Sequence, residues 1–404
     1  MLDSGDTAFM LVATALVMLM TAGLAFFYGG LVRSKNALTV KMQSFAALGA
    51  IGALWAILGY TLAFGADWHG LIGNLDFIAL RGVGMAAHPI YGPTIPHELF
   101  MAFQMMFAII TPALISGAFA YRMRFASYLV FIAVWLLLVY VPLAHWIWGG
   151  GWLQQMGVLD FAGGYVVHMS AGFAALACVF VFRPRRFAKA EVVGAHNVPF
   201  VALGAGLLWF GWFGFNAGSA LAANGVAANA FVTTMLGGSF GMLSWMAVNW
   251  WVDGKPSASG LVTGAVAGLA TVTPASGFVA PWAGALIGLL AGIVCFGASK
   301  FRARRKWDDA LDVWACHGIG GTLGVIATGA FASKTINGQA GLIEGGTRLF
   351  LLQIGAALFV AAYAFAVTYA VLRTMKAIAP IEVSPEQELA SRDLHEHGES
   401  AYQD

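Results

Sequence analysis

Long apolar stretches recur along this chain. They are separated by short segments in which Lys, Arg, Asp, Asn, Gly and Pro collect. A helix needs about 20 mostly apolar residues to cross the hydrocarbon of a bilayer. Eleven stretches fit, at roughly 7–30, 37–65, 97–120, 125–147, 161–182, 197–220, 225–252, 258–275, 277–299, 310–332 and 345–374. The eighth is short, and the turn after it, Thr271 to Pro281, is brief. The pattern predicts an all-α membrane protein. Residues 1–378 form one membrane domain, and residues 379–404 form a polar, acidic, His-rich tail too short to be a domain.

The basic residues orient these spans. With the N-terminus outside, 18 of the 21 Lys and Arg, Lys189 among them, fall on inside segments; only Arg81, Lys334 and Arg348 fall outside. The positive-inside rule therefore predicts N-out and C-in, which requires an odd number of spans.

Composition supports the bilayer and little else. The chain is 60% hydrophobic and 10% charged, against about 45–50% and about 25% for soluble domains. A net charge of +2 points to no partner, and nothing suggests nucleic acid. Cys178, Cys295 and Cys316 lie in apolar stretches without metal-like spacing and read as small buried hydrophobes. No cofactor or resident metal is expected. The opening residues, Met1 to Asp6, are acidic rather than basic. The expectation is that a signal peptide was removed or that none exists.

Two segments read alike. Asp160-Phe161-Ala162-Gly163-Gly164-Tyr165-Val166-Val167-His168 leads into the fifth stretch, and Asp309-Ala310-Leu311-Asp312-Val313-Trp314-Ala315-Cys316-His317 into the tenth. In each, a His follows an Asp by eight residues, and small residues follow the His. The fifth stretch starts outside and the tenth inside. The two are antiparallel copies in a five-plus-five inverted repeat, with halves at about 7–182 and 197–332, an arrangement common among transporters. The last stretch, 345–374, is an extra helix outside the repeat.

Ionisable residues within hydrocarbon are functional candidates by default. Eight residues of helix rise roughly 12 Å, so His168 and His317 approach the midplane from opposite faces. They are either unrelated core histidines or a pair. Two neutral rings sharing one hydrogen bond would form a polar track through an apolar tube, suited to a small neutral hydrogen-bonding molecule or a relayed proton. A hydrated alkali ion does not suit it, because no oxygens replace its water. Asp160 can cap a helix N-terminus, and can also keep an outer vestibule negative. Phe103 and Phe107 share a helix face; with Trp148, Trp212, Phe215 and Ser219 they are either packing and belt residues or a face that binds a small cation.

These residues carry a resemblance. The segment Asp160 to Gly172 is similar to the signature of the Amt/Mep/Rh ammonium transporter family. So are Ala25 to Arg33, Phe103 to Phe107, Trp212 to Ser219, and the tail stretch Asp393 to Tyr402. The similarity spans nearly the whole chain. It implies an outer ammonium-recruitment site at Phe103, Phe107, Trp148 and Ser219, and a pore gate at Phe107 and Phe215. It also implies twin pore histidines at His168 and His317 beside Trp212, and a supporting carboxylate at Asp160. It further implies a homotrimer with one pore per subunit, in contact with membrane lipid. Trp148 and Ser219 together favour the Amt branch, whose bacterial members sit in the cytoplasmic membrane and bind PII-type signal proteins. One departure stands in the tail: Ser391-Arg392-Asp393 replaces the family's usual Gly-Leu-Asp.

The function implied is transport: ammonium is captured outside, loses its proton at the gate, and crosses as ammonia, with its proton, along the histidines. Two other classes compete. One is a receptor that binds ammonium with little flux. The other is an intramembrane enzyme with a metal on His168 and His317, for which no third ligand is evident.

Overall fold

The computed structural model describes residues 1–186 and 194–402; Lys189 and the last two tail residues lie outside them. It is a helical bundle. Helix α1 is Ser4–Leu31. Helix α2 runs from Ala37–Leu54 through a π turn, Trp55–Gly59, to Tyr60–Phe64. Helix α3 is His97–Ile115, and α4 joins Phe125–Trp135, the π turn Leu136–Tyr140 and Val141–Trp148. Helix α5 opens as a π turn, Gly164–Met169, and continues as Ser170–Val181. Then come α6 (Val198–Gly218), α7 (Gly225–Asp253), α8 (Ala258–Val272) and α9 (Pro281–Arg304). Helix α10 repeats the design of α5: a π turn, Trp314–Ile319, then Gly320–Phe331. Helix α11 is Thr347–Ile378.

Each of the eleven expected stretches thus holds a helix. By length and composition, nine helices among the described residues are long and apolar enough to cross a membrane. The other two are α8, of 15 residues, and α10, whose six-residue π turn precedes 12 residues of α-helix.

Loops gather at two ends. At one end Asp3 N–H donates to the Thr94 carbonyl (2.8 Å), the Asp6 carboxylate accepts from Ala223 N–H (2.8 Å), and Phe161 N–H donates to the Pro274 carbonyl (3.1 Å). At the other, His196 Nδ1 meets the Val32 carbonyl (2.7 Å), Arg122 and Arg185 pair with Asp308 (3.3 and 2.7 Å), and Val383 N–H donates to the Arg122 carbonyl (2.8 Å). Consecutive loops fall at opposite ends, the N-terminus at the first and the tail at the second.

The first end carries two small hairpins between α2 and α3: β1 (Asp67–Trp68) with β2 (Ile72–Gly73), and β3 (Ala87–His88) with β4 (Gly92–Pro96). At the second end the tail forms α12 (Pro385–Leu389) and α13 (Arg392–His397). Ser391 caps α13, and the buried Arg392 donates to the carbonyls of Ala120 (3.0 Å) and Met123 (2.6 Å). Asp393 accepts from Leu38 N–H (3.0 Å) and Thr39 N–H (2.8 Å) at the start of α2. The departure in the tail is therefore compatible with tight docking, because Arg392 finds carbonyl acceptors.

At the centre, α5 crosses α10. A Cβ on Gly172 would lie 2.0 Å from the Gly318 nitrogen, and one on Gly321 would lie 3.0 Å from His168 Cβ. Small residues at membrane helix contacts permit such approach. The three nearest obstacles at Gly172, the Gly318 nitrogen and Cα and the His317 carbonyl carbon, are all backbone, which cannot step aside cheaply. Gly172→Ala should destabilise the protein by roughly 1–3 kcal/mol, seen as a lower melting temperature in detergent. Gly49→Ala, with nothing within 4 Å of its Cβ, should not. Equal melting temperatures would refute the tight crossing.

Candidate functional site

Three cavities lie in sequence through the bundle. The outer one, of about 210 Å³, is lined by Phe107, Trp148 and Ser219 together with Phe64, Tyr91, Phe100, Gln104 and Phe161. Helices α3, α4 and α6 supply the first three. Ser219 sits at the C-terminal end of α6, where its hydroxyl donates to the Phe215 carbonyl (2.9 Å) and leaves oxygen lone pairs available. Trp148 ends α4, and its indole N–H donates to the Asp160 carbonyl (2.9 Å). Phe103 is not in the lining. It is buried behind Phe107, with ring centroids 4.9 Å apart, and packs against Gly218.

The floor of this cavity is a ring pair. Phe107 and Phe215 have centroids 4.2 Å apart and both are 1% exposed. Beneath it is a narrow apolar cavity of about 20 Å³, walled by Ile110, Leu114, Val167, Leu208 and Val266. His168 and His317 face each other there. Their Nδ1 atoms are 3.2 Å apart and their rings lie within 19° of parallel. Trp212 stacks on His168 (5.6 Å) and is held by a hydrogen bond to Thr273 (2.9 Å). His168 Nε2 is buried with no protein partner. A third cavity, of about 360 Å³, opens at the tail end of the bundle and shares Tyr28, Val266 and His317 with the middle one.

One hydrogen bond between two Nδ1 atoms has a defined chemistry. One ring donates N–H and the other accepts. If both are neutral, the donor ring keeps an unprotonated Nε2 and the acceptor ring keeps an Nε2–H. The pair thus offers one acceptor and one donor in an otherwise apolar space.

The two aspartates ahead of the histidines do related work unequally. Asp160 Oδ1 accepts from Gly163 N–H (2.8 Å) and Gly164 N–H (2.7 Å), and Oδ2 from Tyr165 N–H (2.8 Å) and Val166 N–H (3.3 Å). It satisfies the orphan donors of the first turn of α5. Gly163 makes this wrap possible at φ +124°, where a side chain would be strained. Asp309, its counterpart before α10, accepts from Trp314 N–H (2.7 Å) through Oδ2, and its Oδ1 is unpartnered. Burial pushes Asp309 up to about 6. Among the described residues no three His, Cys, Asp or Glu side chains come together as a metal site would require.

The family model for ammonium transporters matches residues 8–402. The chain belongs to the ammonium transporter family. It is a multi-pass membrane protein, and its family members are transporters rather than enzymes. An ammonium transporter of Bacillus subtilis is 47% identical over 406 residues, covering 100% of each chain. The crystal structure of Candida albicans Mep2 superposes with a TM-score of 0.90 at 36% identity, covering 99% of this chain and 91% of that one. A structure named Sensor Amt Protein also gives a TM-score of 0.90, at 27% identity, covering 97% of this chain and 98% of that one.

Sequence reasoning missed the aliphatic wall of this family member and part of its outer cavity. The wall had a signal: Ile110 and Leu114 continue the face of Phe103 and Phe107, and Leu208 precedes Trp212 by four. Gln104 lies inside the Phe103 to Phe107 stretch with no spacing signal of its own, yet its Oε1 is buried, unpartnered and beside the outer cavity.

Asp160→Asn tests the cap directly. The amide keeps one acceptor oxygen and turns an NH2 toward backbone donors. Losing two charge-assisted hydrogen bonds should cost about 2–4 kcal/mol, lowering the melting temperature along with ammonium uptake. A loss of uptake with an unchanged melt would show that the carboxylate acts only through its charge on the vestibule.

Proposed function

We propose that this chain carries ammonium across a bacterial cytoplasmic membrane, capturing the cation outside and passing ammonia and a proton separately through each subunit. The observation that carries this reading is the buried histidine pair in an aliphatic lumen beneath a closed pair of phenylalanines. Trp148, Phe107 and the Ser219 oxygen offer a desolvated ammonium ion π faces and an acceptor, each ring worth about 0.5–2 kcal/mol. The lumen offers nothing equivalent. Its walls are Ile, Leu and Val, and a bare cation there is costly. Ammonium therefore breaks an N–H bond at the gate: the electron pair stays on nitrogen and the proton goes to the histidine pair. Neutral ammonia, both donor and acceptor, follows past the imidazoles. Proton and ammonia rejoin in the inner cavity.

Eleven spans with the N-terminus outside, counting α8 and α10, suit the two-ended distribution of loops and basic residues. A reporter fused after Ala379 should read as cytoplasmic, and an external signal would reverse that orientation. The family resemblance supports a homotrimer, and the docked tail at the cytoplasmic end is a surface where a PII-type protein would act. The likeness to a structure named as a sensor favours a second reading, ammonium sensing. Flux in proteoliposomes separates the two, since a pure sensor binds ammonium without carrying it.

The histidines decide the mechanism. His168→Asp puts oxygens and negative charge at the midplane, which a potassium ion needs to shed its water. The ammonium-to-potassium flux ratio should fall by about tenfold or more, the equivalent of ~1.4 kcal/mol, while the trimer survives. Since the two rings share a hydrogen bond, adding His317→Asp should be far from additive. A variant that still rejects potassium and carries ammonium at the parent rate would remove the pair from selectivity.

A further inference from the structure

The outer cavity has a wall that none of the recruitment residues explains. Tyr91, at the turn of the β3–β4 hairpin, lines the cavity together with Trp148 and Phe107. Its ring is sandwiched between Phe100 (5.1 Å, 12°) and His88 (4.8 Å, 21°), with Phe64 edge-on at 5.2 Å. Its hydroxyl donates to the Gly149 carbonyl (3.3 Å), the residue after Trp148. The hairpin thus ties one aromatic wall of the cavity to the other.

The turn depends on His88. Its Nδ1 accepts from both Ile90 N–H and Tyr91 N–H, each at 3.3 Å. This is the role an Asn or Asp side chain plays in an Asx turn. A nitrogen that accepts two N–H donors carries no proton, so the geometry requires neutral His88. Protonation would put a third N–H against the other two and dismantle the turn. Among the described residues three rings pack on His88: Tyr91 from its own hairpin, Phe77 from the preceding loop (6.0 Å), and His97 from the first turn of α3 (4.6 Å). His97 Nε2 is itself bonded to the Tyr60 hydroxyl (2.5 Å). None of the three is anionic, so an imidazolium at His88 gains no counter-charge, and burial holds His88 below the usual imidazole range.

We propose that Tyr91 is a positioning residue for the Trp148 wall of the ammonium cavity, through its hydroxyl on Gly149, and that His88 in turn positions Tyr91, so that acid on this face weakens ammonium capture by releasing the Tyr91 turn. The proposal rests on the ammonium-transport reading but concerns binding alone. The neutral form of His88 holds the turn at neutral pH, and because burial lowers its titration, that hold is lost as pH falls through a point below the ordinary imidazole range. Ammonium stays fully protonated over the same interval, so a change in affinity comes from the protein.

The test is calorimetric titration of the detergent-solubilised full-length protein with ammonium chloride at pH 7 and pH 5, beside flux in proteoliposomes. The parent should bind about three- to tenfold more weakly at pH 5, the range expected for one aromatic wall. Tyr91→Leu, which keeps apolar bulk without the hydroxyl on Gly149, should bind that much more weakly at pH 7 and show little further loss at pH 5. His88→Asn supplies an acceptor that does not titrate, so it should bind at pH 7 like the parent and keep its affinity at pH 5. Parent-like affinity in Tyr91→Leu, or a parent-like acid response in His88→Asn, would overturn the proposal. Melting temperatures near the parent's confirm that both variants are folded. Binding that follows this pattern without flux would support the proposal while removing transport.

Discussion

The centre of the molecule depends on two backbones coming closer than any side chain allows. The histidine rings meet only because α5 and α10 touch at Gly172 and Gly318, where a single methyl group would reach 2.0 Å from a backbone nitrogen. The rings are held at one hydrogen-bond length, and the cavity beside them stays narrow, at about 20 Å³. In a bilayer no hydrophobic force drives helices together, so close packing of small residues is the main means of fixing such a crossing.

Around the crossing, polar groups are placed to free the axis of obligations elsewhere. Asp160 occupies four backbone donors of α5, and Trp212 is satisfied by Thr273. Among the buried polar atoms without a protein partner, two border the outer and middle cavities: Gln104 Oε1 and His168 Nε2. Buried polar atoms without partners cost free energy. Their survival at these two places agrees with a substrate that brings its own donors and acceptors.

The helices were legible because a bilayer demands long apolar runs, and the Asp-to-His spacing made the repeat visible. The π turns were not. Gly164–Met169 and Trp314–Ile319 have the composition of ordinary helix, and the extra residue in each depends on tertiary packing rather than propensity. The hairpins before α3 were equally silent: strands of two residues, such as Ala87–His88, show no alternation. Phe103 illustrates a further limit. Its spacing from Phe107 places both on one helix face, but which ring lines the cavity is set by the neighbour Gly218. Short α8 and interrupted α10 occupy two of the expected stretches without reaching the length and apolarity of the other nine, because spacing along the sequence does not reveal where a helix begins late or opens as a π turn.

If the histidine pair relays the proton as proposed, its shared hydrogen bond is a one-bit memory. A proton accepted at the free Nε2 of one ring pushes the bridging proton across and expels another from the far Nε2. Each ring ends neutral, but donor and acceptor have exchanged places. The pair now faces the next arrival with N–H where a lone pair is needed. Before a second proton can follow in the same direction the bit must be reset, by rearranging both tautomers. Under the proposed mechanism such a pair would carry charge in single file and count as it does so, which would tie the pace of proton passage to two buried rings and not to the depth of the vestibule.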